Sequence, residues 1–154
     1  MRNRDGFSLL ELIITLSIIA IIAALGLPAM TGTMDQRQVS GAADQFRAAH
    51  ALARASAMRY GHIARLHTDP QKFWVDVDTS GASQFSTVGV VRDVSTDGVR
   101  IATSASLFCF DARGIPVSDV GCQSGPASVT FNSTISGSPR SATLQITNLG
   151  SIVR

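Results

Sequence analysis

The chain is 154 residues long, carries a formal charge of +2, and contains 6% aromatic and 16% charged residues. That length suits one modest globular domain plus a segment outside it. A charge so close to zero excludes a strong non-specific electrostatic hold on nucleic acid, and the apolar content of 45% is concentrated in a block near the N-terminus.

Residues 1–30 read MRNRDGFSLLELIITLSIIAIIAALGLPAM. From Leu9 to Leu27 only Glu11, Thr15, Ser17 and Gly26 interrupt the apolar run. About 20 such residues span a bilayer as a helix. Arg2 and Arg4 precede the run and the next basic residue is Arg37. The positive-inside rule therefore puts the N-terminus in the cytoplasm and the bulk of the chain outside. An ordinary secretory signal would be cut after the apolar region, where Ala23-Ala24-Leu25-Gly26 is a loose match, and a plain membrane anchor is the other alternative.

Glu11 separates these readings. A carboxylate at the head of a membrane helix is costly and marks a function. Its natural partner is a positive charge, and loss of residues 1–6 would expose an amine on Phe7, four positions away. Between axially shifted neighbouring copies, Glu11 of one could meet the Phe7 amine of the next. Leaving one such charge unpaired in an apolar bundle costs roughly 3–5 kcal/mol, so the pair would fix the stagger between subunits. Pro28, flanked by Gly26 and Gly32, removes one helical hydrogen bond and is expected to kink or loosen the helix, or to mark the membrane exit.

Gly6-Phe7-Ser8-Leu9-Leu10-Glu11 in front of an apolar helix closely resembles the class III signal of type IV prepilins and pseudopilins. The resemblance implies that an inner-membrane prepilin peptidase cuts between Gly6 and Phe7 and N-methylates Phe7. It implies that Glu11 sets register and recruitment, and that the helix can melt near Pro28 on assembly. Expected partners are other pilins or pseudopilins, the peptidase and the inner-membrane assembly platform. The expected location is the bacterial inner membrane, single-pass with the head in the periplasm, and then a pilus or pseudopilus.

Residues 34–60 place Val39, Ala42, Ala43, Phe46, Ala49, Ala53, Ala57 and Tyr60 at helical spacing on one face. Asp35, Gln38, Arg47 and Arg54 fall on other faces. Arg47, His50 and Arg54 lie close together, either as a contact surface for a neighbour or as a solvated face with Asp44 paired to Arg47. Gly61 is the expected stop.

From residue 62 the period becomes two. Strands are expected at His62–His67, Phe73–Asp78, Ser86–Arg92, Val99–Thr103, Leu107–Phe110, Ser128–Asn132, Ala142–Thr147 and Ser151–Val153, separated by turns such as Thr96-Asp97-Gly98 and Ala112-Arg113-Gly114. The expected fold class is α+β: a long N-terminal helix packed on an antiparallel β-rich head, as a sandwich or two small sheets. The expected segments are a leader at 1–6, a transmembrane or filament-core helix at 7–30, an amphipathic helix at 31–60 and the head at 61–154. Cys109 and Cys122 follow the apolar segment, so in an oxidising compartment they are expected to pair, the alternative being two buried thiols.

The head resembles the GspH/FimT group of minor pilins and pseudopilins through Phe108-Cys109-Phe110-Asp111-Ala112-Arg113-Gly114 and through the ending Leu144 to Arg154. Some DNA-binding members of that group end in Gly-Arg-x-Arg. This chain ends Gly150-Ser151-Ile152-Val153-Arg154, a departure that leaves Arg140 and Arg154 as the candidate phosphate contacts.

No grouping of His50, His62 and His67 with the cysteines has zinc spacing. Asp76 and Asp78 read as a solvated strand face that offers too few oxygens for calcium. There is no Gly-x-Ser-x-Gly elbow and no phosphate loop, so no metal, cofactor or enzymatic activity is expected. The leading reading is a structural pilin-like subunit. A DNA-capturing pilin and a membrane-anchored domain that never polymerises are the alternatives.

Overall fold

A computed structural model describes residues 8–118, 121–123, 125–133, 135 and 139–153, without the side chains of 25–32. Gly6, Phe7 and Arg154 therefore lie outside the described residues, as does the side chain of Pro28. The chain divides into two compact units, Met1–Met34 and Asp35–Arg154.

One helix, α1 (Leu9–Tyr60), contributes to both units and is unbroken at Pro28. In the first unit it begins just after Ser8, whose carbonyl accepts from the Leu12 amide at 3.2 Å. From Leu9 to Ile22 every leucine and isoleucine is at least 50% exposed. The hydroxyls in this stretch are bonded to the helix itself: Thr15 Oγ1 donates to the Leu12 carbonyl (2.9 Å) and Ser17 Oγ to the Ile13 carbonyl (2.7 Å). Among the described residues no helix is long and apolar enough to cross a membrane. The described side chains of the apolar run end at Ala24, short of the roughly 20 residues a span needs.

In the second unit α1 lays Val39, Ala42, Ala43, Phe46, Ala53 and Ala57 into the core, with Ala49 partly buried. Tyr60 departs from the expected stripe and is 39% exposed. Asp35 and His50 depart the other way: both are buried, so neither belongs to a solvated face. The helix ends at Gly61, whose amide donates to the Ala57 carbonyl.

Eight strands follow: β1 (Ala64–Thr68), β2 (Lys72–Asp78), β3 (Phe85–Asp93), β4 (Val99–Thr103), β5 (Leu107–Phe110), β6 (Ala127–Ser133), β7 (Arg140–Ile146) and β8 (Ile152–Val153). They form two antiparallel four-stranded sheets, ordered β3-β2-β1-β5 and β4-β6-β7-β8. After β3 the chain crosses to the second sheet, returns for β5, and crosses again for β6. Each sheet thus holds strands from both sides of the other in sequence, which ties them into one head. Alternation does the sorting: in β1 the residues Ala64, Leu66 and Thr68 are buried while Arg65 and His67 are not.

Phe46 is where helix and sheets meet. Its ring lies edge-on to Phe73 (5.4 Å) and Phe108 (6.5 Å) of the first sheet and Phe131 (5.7 Å) of the second. Aromatic edge contacts of this kind add about 0.5–1.5 kcal/mol beyond burial. A short 3-10 turn, Ser95–Asp97, leads into β4 where only a loop was expected. Cys109 and Cys122 are joined by a disulfide.

Candidate assembly site

Glu11 lies in the first turn of α1 and is exposed. The helix N-terminus carries partial positive charge, which favours a carboxylate there. Around it the aliphatic surface described above has no polar side to turn toward water. Together these features make a helix that needs either lipid or other helices around it. The outer side of α1 in the second unit is also free of long charged side chains over one stretch, with Ala48, Ala51, Leu52 and Ala55 exposed.

The head holds α1 through a clamp that the sequence did not announce. Arg54 Nε donates to the Gly114 carbonyl at 2.9 Å, and Nη1 donates to the Gly150 carbonyl at 3.3 Å. Gly114 closes the turn after β5, where the Asp111 carboxylate accepts from the amides of Arg113 and Ile115, both at 2.9 Å. The Ile115 amide is the main influence on Asp111; with help from Arg113 it outweighs burial and holds the carboxyl below its ordinary range. Gly150 has φ +71°, and a Cβ there would lie 2.5 Å from Pro116 Cγ, so only glycine fits. The two C-terminal motifs that carried the family resemblance are thus the two turns that Arg54 reads. Arg54 was expected on a different face from the packed stripe; its stem lies beside that stripe and its guanidinium reaches over to the head.

His50, one turn earlier, packs edge-on against Phe110 with ring centroids 5.0 Å apart. Its Nε2 is buried without a hydrogen bond. Burial, reinforced by the nearby Arg54 charge, lowers its pKa to about 4. Of the expected basic trio, only Arg47 keeps the solvated role, paired with Asp44 at 2.7 Å.

Asp76 and Asp78 are not a bare solvated face. Asp76 accepts from Thr87 Oγ1 (2.8 Å) and Trp74 Nε1 (3.3 Å). His67 stacks on Trp74 at 4.6 Å, and its Nε2 is 3.1 Å from Asp76 but out of line for a hydrogen bond. Burial pushes the His67 pKa down despite Asp76. Asp78 is buried and organises the next loop, accepting from the amides of Ser80, Gly81 and Ser83. Burial works against its charge, but those three donors outweigh it and keep its pKa below the ordinary range.

Arg140 opens β7, exposed and in register with Ser133. Its expected companion Arg154 lies outside the described residues, so the structure does not bring the two together. Among the described residues no group of three or more His, Cys, Asp or Glu side chains could hold a metal ion.

Residues 1–27 match the prokaryotic N-terminal methylation motif, and residues 42–150 match the family of the type II transport protein GspH. No curated protein matches the chain significantly. Two crystal structures of the type IV minor pilin FimU from Pseudomonas aeruginosa PAO1 share the fold. One has a TM-score of 0.57 at 15% identity and covers 79% of this chain and 90% of the FimU chain. The other has a TM-score of 0.53 at 16% identity and covers 74% and 90%. With the methylation motif at its head and the GspH match over most of its length, the chain belongs to the GspH family, as a GspH/FimT-like minor pilin or pseudopilin.

Proposed function

We propose that this chain is a non-enzymatic filament subunit, cleaved between Gly6 and Phe7, anchored in the inner membrane by the helix from Leu9 to Leu27, and then transferred into a type IV pilus or a type II secretion pseudopilus. The observation that carries this reading is the all-round aliphatic surface of α1 from Leu9 to Ile22. Removing each leucine or isoleucine from water is worth roughly 1.5–3 kcal/mol, and such a helix is covered first by lipid and then by other helices of the same kind. The in-helix bonds of Thr15 and Ser17 leave no unpaired hydroxyl donor in either setting. The secretion arm follows from the GspH family and the pilus arm from the fold shared with FimU.

Glu11 then supplies register by meeting the Phe7 amine of a neighbour, and Pro28 is where the helix yields on assembly. The peptidase and the assembly platform are the partners this route requires. Glu11→Ala should still be cleaved but should enter filaments poorly; normal incorporation would rule out the register mechanism. DNA capture is a second reading, favoured by the exposure of Arg140. Arg140→Ala with Arg154→Ala would abolish most gel-shift retention under it, and a wild-type chain that never retains DNA at low salt would remove it.

A further inference from the structure

Among the described strands at sheet edges, β4 spans five residues and β8 two, and β5 is covered by bridges to Pro116 and Gln123. The edge strand β3 is different, with nine residues. Its register with β2 shifts so that Trp74 alone faces the stretch from Gly89 to Val91. Bulges of this kind re-aim side chains, and here Val90 and Val91 are left 83% and 50% exposed. Gly89 has φ +81°, and a Cβ there would lie 2.8 Å from Leu52 Cδ2, so the bulge backbone rests directly on α1. Beside it is a groove of about 390 Å³, lined by Ala48, Ala49, Leu52, Phe73, Val90 and Arg92. Arg92 is already engaged with Asp97 at 2.9 Å, so the groove presents mainly aliphatic and aromatic surface.

We propose that this bulge and groove form a lateral contact with the head of a neighbouring pilin-like subunit in the same filament, which inserts an aliphatic side chain beside Leu52 and Val90. The proposal rests on the assembly reading above. Area selects the occupant. A nine-residue strand is about 30 Å long, and with a width of about 10 Å the strip covers roughly 300 Å², well under the ~800 Å² per partner of a stable complex. A free protein, including a free second copy, is not held by so little. A subunit already fixed in the same filament by its own N-terminal helix meets the groove at high effective concentration, where a small apolar contact is enough.

The test uses the full chain in cells that make the filament. Val90→Cys supplies a free thiol, because both native cysteines are joined to each other. A membrane-impermeant maleimide should label Val90→Cys in the membrane-held pool and label it roughly tenfold less in sheared filaments. Ser141→Cys, exposed on the second sheet, should label in both. Equal labelling of Val90→Cys in both pools, or equal protection of both positions, overturns the proposal. Cross-linking from Val90→Cys in filaments should yield an adduct that mass spectrometry assigns to the head of a protein with the same Gly-Phe leader. A self-adduct formed by unassembled chain in detergent overturns the choice of occupant. Val90→Asp should lower incorporation about fivefold with cleavage after Gly6 unaffected, and unchanged incorporation contradicts the contact. If the wild-type chain never reaches the sheared fraction, the assembly reading falls and the proposal falls with it; a wild type that assembles with an unprotected Val90→Cys sinks the groove alone.

Discussion

Arg54 joins three parts of the head that are distant in sequence: the helix, the turn at Gly114 and the C-terminal turn at Gly150. Charged donors to carbonyls in partly buried places contribute more than neutral ones. Arg54→Ala leaves both carbonyls without this donor and should destabilise the head by about 1–3 kcal/mol, read as a lower urea midpoint with an unchanged slope. His50 makes a separate, pH-dependent statement. Its folded pKa of about 4 lies below the ordinary 6.5, so the unfolded chain takes up the proton first. Stability is therefore full above pH 6.5 and falls as the pH drops toward 4, by on the order of 3 kcal/mol. The carboxyls of Asp78, Asp93 and Asp111 are held low, so their contribution is lost only at lower pH, as each folded pKa is crossed. Urea midpoints of the wild type should fall between pH 6.5 and 4, while those of His50→Leu should stay flat over that window; a wild type that is flat there would contradict the buried, neutral His50.

At the scale of elements, the disulfide closes the stretch that Arg54 reads. Cys109 is fully buried at the end of the first sheet, and its carbonyl accepts from the Val117 amide at 3.0 Å. Closing a loop of this length contributes about 3 kcal/mol, so Cys109→Ser with Cys122→Ser should lower the denaturation midpoint by that amount, and no change on reduction would contradict it. The strands themselves were legible because Phe73, Val75 and Val77, or Ala127, Val129 and Phe131, alternate with polar residues, and period two follows from the pleat alone. Sheet order and the bulge in β3 were not legible, since pairing partners are far apart in sequence and the bulge depends on Gly89 resting on Leu52. His50 was misplaced for a related reason. Histidine is at home both in water and in a core, and only Phe110 across the fold decides between them. Asp76 and Asp78 looked solvated because the donors that satisfy them come from a neighbouring strand and a following loop.

For the molecule as a whole, function was more legible than fold detail. The order Gly6, Phe7 and Glu11 before an aliphatic helix reads as a processing and assembly signal from a few residues, and the methylation motif and the GspH match identify the same family. The head is held by a core around Phe46 and by Arg54, and no described cluster offers metal chemistry. The account therefore depends on one covalent event at the N-terminus. The direct measurement is mass spectrometry of the N-terminal peptide from filaments sheared from cells. The account predicts a chain that begins with N-methylated Phe7; functional assemblies that retain Met1 to Gly6 would contradict it.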